Sequence, residues 1–313
     1  MLMRYLVCVF VFLSGCGHKD VHQQAESHTD LQSISTILDT YKQLAPKGWD
    51  VSSGCDALLF TSLQAVGQNE EFDIEAAEGE SGQWFRKPAQ VQEHEICSSD
   101  ISRDMFHGLL TYALKFQKLQ LVEDIWTYGS QHNWKMGQER KIETVGPITG
   151  KINNRTIMTP QMIGLLAEVI HALGGKDHAE RHYRALEVYN VQPGFTSHLT
   201  LLKIYLRGAM YNALEPRDMA ALLAISAHMN NNPLVHALIH GYTDGDQSRA
   251  VSLLLDTWPA DRLPTNRDWS EEWRLQRSDD DTGLQPGDST EEHSHSGGDF
   301  MFVANLLLTM KAR

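Results

Sequence analysis

The chain predicts an all-α fold, an α/α toroid, complete or incomplete, built from repeated helical hairpins with long rim loops. Three observations predict it. Extended runs that alternate apolar and polar residues are nearly absent outside the segments around Trp84 and Ile142. Met105, Met162 and Met219 stand 57 residues apart in both intervals, and each is followed by a Leu-Leu pair at Leu109-Leu110, Leu165-Leu166 and Leu222-Leu223. Between these starts the chain has the length of a helix, a turn and a second helix, whereas the connections 69–100 and 259–298 are long and irregular. A tetratricopeptide solenoid has a period of about 34 residues and short regular loops. The longer unit favours a ring, which has no ends to cap, over an open solenoid, which needs polar terminal repeats.

At the N-terminus one positive charge, Arg4, precedes an apolar run from Tyr5 to Leu13. That run is too short to span a bilayer as a helix of about 20 residues, so residues 1–15 read as an export signal. The sequence Leu13-Ser14-Gly15-Cys16 resembles the lipobox of bacterial lipoproteins, which implies that Cys16 is lipidated and becomes the mature N-terminus. Gly17 stands where an inner-membrane retention signal places Asp, so the resemblance implies the outer membrane, with the folded part facing the periplasm or the cell surface. A plain secretory signal is the alternative. Residues 16–30 are polar, have too little apolar surface to fold alone, and serve as a tether. A single helical domain then runs from 31 to 313.

GCDALLFTSL, beginning at Gly54, is the first helix start. Cys55 within it and Cys97 are the only thiols of the folded part once Cys8 and Cys16 are set aside. In an oxidising compartment two such cysteines suit a disulfide, the alternative being two buried thiols, and they are too few for structural zinc. The connection 69–100 carries Trp84, Phe85, Arg86 and Lys87, an aromatic and basic cluster in an acidic segment that suits either a sugar face or a hydrophobic cluster under the loop.

SRDMFHGLLTYALKF starts the next hairpin, and KLQLVEDIWTYG returns with Leu119, Val122, Ile125 and Trp126 on one face. TPQMIGLLAEVIHAL follows, broken by Gly174-Gly175, and KDHAERHYRALEVY reads as its partner helix. FTSHLTLLKIYLRGAMYNAL comes after Pro193-Gly194, then EPRDMAALLAIS, VHALIHGY and SRAVSLLLDTW. Pro160 and Pro216 suit first-turn positions, where a missing N–H costs nothing. GGDFMFVANLLL is the last helix start.

As architecture, this series over residues 31–313 loosely resembles the six-hairpin toroid glycosidases and polysaccharide lyases. The resemblance implies a funnel that accepts sugar chains, with aromatic platforms and one or two acidic catalytic residues.

Asp56, Asp104, Asp218 and Asp299 each precede or enter an apolar helical run. A carboxylate there accepts free N–H groups and meets the positive end of the helix dipole, so each is a cap candidate. In a ring, equivalent helix starts converge on one rim, and acid/base work on a glycosidic bond needs two carboxyl groups roughly 5 to 10 Å apart. Asp104 and Asp218 form the first candidate pair, with Asp56 and Asp299 as alternates. Arg103 and Arg217 each precede an Asp of that pair, either to lock helix starts or to hold a uronate or sulfate. Trp84, Arg86, His293 and His295 complete the candidate ligand contacts. His293-Ser294-His295 lacks a recognised metal partner motif, and no metal or other cofactor is expected.

The formal charge of −13 speaks against nucleic acid, and no nucleotide, dinucleotide or HExxH motif occurs. The expected function is that of an envelope lipoprotein, anchored to the bilayer by its lipid alone. It acts on a polysaccharide or cell-surface glycan, as a glycoside hydrolase or lyase with paired carboxylates. The alternative is a non-catalytic helical lipoprotein that binds a glycan or an envelope protein.

Overall fold

The structure, a computed structural model, describes residues 21–45, 47–51, 55, 57–92, 97, 101–136, 157–191, 197–243, 247–257 and 298–310. It is all-helical over these residues. The α-helices are α1 (Val21–Leu44), α2 (Ala57–Gln68), α3 (Pro88–Gln92), α4 (Arg103–Lys115), α5 (Leu119–Gln131), α6 (Pro160–Ala172), α7 (Ser197–Tyr211), α8 (Pro216–Ser226), α9 (Pro233–Tyr242), α10 (Ser248–Thr257) and α11 (Gly298–Thr309). Three 3₁₀ helices, Gly48–Val51, Ile74–Ala77 and Ala179–Leu186, punctuate them. Among the described residues extended pairing is confined to two isolated bridges, Glu78 with Trp84 and Lys135 with Ile157.

The three Met-bearing segments all begin helices, α4, α6 and α8. Thr159 caps α6 by accepting from the Met162 N–H, and Pro160 and Pro216 occupy first-turn positions. Met105 and Met162 sit in the core, as do Leu109, Leu110, Leu165 and Leu166. The third copy is looser, because Met219 is only partly buried and Leu223 is half exposed.

Every residue of α2 is buried. Its sequence ALLFTSLQAVGQ carries no formal charge and suits a helix packed on all sides. α2 packs against α4 on one flank and α11 on another. The contact with α11 is backbone-close at Gly67, where a Cβ would stand 2.4 Å from the Met301 carbonyl carbon. Asn305 of α11 donates to the Val66 carbonyl of α2 at 3.0 Å, which ties the last helix to the first hairpin.

Residues 176–189 depart from the expected second helix. They form the 3₁₀ helix Ala179–Leu186 and then run extended, packed on α6 near Gly164. The physical reason lies in the spacing of the ionic side chains. In a 3₁₀ turn, residues three apart eclipse, so Arg184 and Glu187 share a side, and in extended chain residues two apart do, which adds Tyr189. An α-helix would keep Arg184 near Glu187 but would turn Tyr189 about 140° away from Arg184.

Cys55 and Cys97 form a disulfide with Cα atoms 5.8 Å apart. Among the described residues no helix is long and apolar enough to cross a membrane. The export signal, Cys16 and the start of the tether lie outside the described residues, as do 137–156 with Ile142 and 258–297 with His293 and His295. α1 begins at Val21, and among its described side chains Leu31 and Ile34 pack against the core.

Candidate functional site

The densest cluster of ionisable side chains joins α6, the 3₁₀ helix Ala179–Leu186, the extended residues behind it, α7 and α8. Arg207 is its centre and is fully buried. Its Nε lies 3.3 Å from Glu168 Oε2, its Nη2 3.4 Å from Glu187 Oε2 and its Nη1 3.5 Å from Asp218 Oδ1. Nη1 also donates to the Tyr189 hydroxyl, which in turn donates to Asp218 Oδ1. Lys203, one turn before Arg207 on the same face of α7, pairs with Glu187 at 2.8 Å. Arg184 closes the other side, 3.2 Å from Glu168 Oε1, 2.8 Å from Glu215 Oε1 and 3.6 Å from Asp218 Oδ2.

Three deeply buried carboxylates, Glu168, Glu187 and Asp218, thus meet three cations, Arg184, Lys203 and Arg207. This balance is what allows the charges inside, since an unpaired buried ion is far more expensive than a paired one. Burial raises Glu168 above the ordinary carboxylate range, against the pull of Arg207 and Arg184. Burial opposes the charge on Arg207, yet Tyr189 and the carboxylates around it hold its pKa above the usual guanidinium value. Burial also raises the Tyr189 phenol, so that it stays a neutral donor between Arg207 and Asp218.

The first candidate pair is divided between two settings. Asp218 is the third residue of α8 and belongs to the network, and the Glu215 N–H reaches its Oδ2 at 3.4 Å. Asp104 is the second residue of α4 and is 7 % exposed. Its Oδ1 accepts the Met105 N–H at 3.0 Å and the Ser102 hydroxyl, a first-turn arrangement. Arg103 is exposed beside it. Arg217 turns back, donating to the Arg184 carbonyl at 2.8 Å and pairing with Glu215 at 3.2 Å.

Trp84 is fully buried in the core, so its ring takes the place of a hydrophobic cluster under the loop and not of a platform at a rim. The turn before it explains this. Gly82, at φ +82°, lets the loop approach the Asp124 carbonyl of α5 so closely that a Cβ would stand 2.0 Å from it. Arg86 donates to the Cys55 carbonyl at 2.9 Å, and the Arg86 carbonyl accepts the Leu58 N–H at 2.9 Å, so Arg86 fastens the loop to the disulfide corner and the start of α2. Asp56, His293 and His295 lie outside the described residues, and so does the side chain of Asp299.

Glu168, Arg184, Glu187, Tyr189, Lys203 and Arg207 were not candidates on sequence grounds. Two carried a signal. Glu168 interrupts the apolar run LLAEVI, and Arg207 ends the run LLKIYL, where a charge at a core-facing position demands a partner. Among the described residues no group of three or more His, Cys, Asp or Glu side chains is placed to hold a metal ion.

Chemically, the cluster is a clamp. Neighbouring carboxylates are bridged by guanidinium groups, not separated by an open gap. It presents two apolar side chains outward: between the inward Glu187 and Tyr189, Val188 is 83 % exposed, and Leu186 just before is 53 % exposed. No protein-family model, no curated protein and no solved structure matches the chain.

Proposed function

We propose that this chain is a lipid-anchored envelope lipoprotein whose helical body is a non-catalytic binding module for an envelope protein. The carrying observation is the clamp on residues 186–191. Glu187 and Tyr189 are drawn into the ion network on either side of Val188, which fixes an apolar side chain outward on extended backbone. A rigid apolar edge suits a protein surface better than a hydroxyl-rich sugar, because it has no entropy left to lose and offers contact area with few donors.

Lipidation at Cys16 and the outer-membrane address belong to the same proposal and rest on the lipobox resemblance. So does the arrangement of the hairpins as an α/α ring. In its favour, the contacts run from α2 to α4, α7, α9 and α11, and α11 returns to α2. Against an open funnel stands α2 itself, buried on every side, which favours an incomplete ring with a filled centre.

Glycosidic cleavage by Asp104 and Asp218 is disfavoured by the partners that hold each of them. The two readings separate in a glycan-cleavage screen of the wild type beside Asp104→Asn and Asp218→Asn. Binding-module chemistry predicts no turnover by any of the three, with both variants lower in Tm. Turnover by the wild type that is lost in folded Asp104→Asn would restore the catalytic reading.

A further inference from the structure

Residues 186–191 present more than an outward valine. Exposure alternates along them: Leu186, Val188 and Asn190 are exposed, whereas Glu187, Tyr189 and Val191 are half-buried. A period of two is that of a β-strand laid on a surface, here on a helical body. Glu187 itself has φ −64° and ψ 124°, inside the extended region.

Extended backbone has two lateral edges, and the body uses one of them. Thr200 Oγ1 of α7 donates to the Asn190 carbonyl at 3.1 Å. The N–H and C=O of one residue in a strand point to one side and those of the next to the other, so Tyr189 and Val191 turn theirs away from α7. Glu187 shares that outer edge. Its side chain is 1 % exposed while the residue as a whole is half-buried, so what it shows to solvent is backbone. Its N–H donates to the Arg184 carbonyl at 3.1 Å, and its own carbonyl is the group turned outward.

Soluble proteins guard such edges with lysine, proline or a bulge. Here the exposed side chains are Leu, Val and Asn, none of them charged. The ion network fixes the inward side chains, so the edge is ordered before anything binds.

We propose that this edge takes its partner by strand addition: an extended segment of another envelope protein, with alternating apolar and basic side chains, pairs its backbone with Glu187, Tyr189 and Val191. The proposal rests on the binding-module reading and names how that module holds its partner. Main-chain hydrogen bonds supply affinity and the alternate side chains beside Leu186 and Val188 supply selectivity. The formal charge of −13 favours a basic segment over an acidic one, and over a second copy of this chain.

The test uses photo-crosslinking in the intact envelope, with a photoreactive residue at 188 and a second change at 191. Val191→Pro removes an N–H of the outer edge and should cut the protein adduct about fivefold or more. Val191→Ala keeps the N–H and should keep most of the adduct. A second measurement is amide hydrogen exchange of the full chain with the probe peptide Ac-Lys-Val-Lys-Val-Lys-Val-NH2. Tyr189 and Val191 amides should slow about tenfold while Val188 does not, and the peptide N-methylated at every residue should slow none of them. An adduct indifferent to Val191→Pro would overturn strand addition and leave the binding-module reading standing, whereas no adduct from either background would overturn both. Equal loss in the proline and alanine variants, no protection by the peptide, or an adduct of twice the chain's mass would also overturn the proposal.

Discussion

Arg207 is the residue on which the most other residues depend. It pairs with Glu168, Glu187 and Asp218 at once and touches Tyr189, so its removal leaves three buried carboxylates to two cations, Arg184 and Lys203. Arg207→Met is expected to lower stability by about 3–5 kcal/mol, the cost of breaking a buried ion pair from one side, measured by urea unfolding. Glu168→Gln is milder, about 1 kcal/mol, because Arg207 keeps two carboxylates and the amide can still accept. The two also differ in pH response. Glu168 has a higher pKa folded than its ordinary 4.5, so the folded chain binds more protons between the two values, and its contribution to stability grows as pH falls through that window. The wild type should therefore gain on Glu168→Gln between neutral pH and 4.5, and a gap that widens in the opposite direction would contradict the burial of this carboxyl.

At the scale of elements, the helix starts were legible and one partner helix was not. Thr159 and Pro160 at the head of α6, Pro216 at the head of α8, and the apolar pattern behind Met105, Met162 and Met219, are local signals that survive packing. The stretch KDHAERHYRALEVY reads as a second helix because the hairpin length between helix starts asks for one there. Several of its charged residues turn inward instead, and a 3₁₀ turn followed by extended chain is the geometry that lets Arg184, Glu187 and Tyr189 do so together. The disulfide was legible from cysteine count and compartment, since only one pairing remained. Reduction of Cys55–Cys97 releases a loop constraint of 42 residues. By loop entropy that constraint is worth about 4 kcal/mol, and the reduced chain should melt correspondingly lower.

The candidate site was only half legible for a related reason. Asp104 and Asp218 stand out in the sequence as carboxylates ahead of apolar helical runs, yet both catalysis and capping call for the same residue at the same place. What decides between them is the partner, and Arg184 and Arg207 reach Asp218 from other elements. Trp84 shows the same limit, since a tryptophan beside arginine and lysine reads alike on a rim and in a core, and only the close turn at Gly82 separates the two.

Across the whole molecule, the chain closes on itself where α11 lies against α2. That contact has almost no room for adjustment, because Gly67 faces the backbone of Met301 and Phe302. Gly67→Ala is expected to cost about 1–3 kcal/mol from overpacking, read as a fall in urea midpoint with an unchanged slope. This closure was only partly foreseeable, because it joins residues 239 positions apart in the sequence. Because α2 is buried along its whole length and carries no charge, the polar chemistry lies elsewhere, in the clamp beneath residues 186–191.

The presentation of Val188 by that clamp is the central claim, and site-specific photo-crosslinking in the intact envelope tests it most directly. A photoreactive residue at position 188 should yield one discrete protein adduct, which disappears on adding Arg207→Met. The same residue at Leu44, which is 51 % exposed and stands at the end of α1, should yield none. Adducts of equal yield from both positions, or an adduct at 188 that survives the loss of Arg207, would contradict the account.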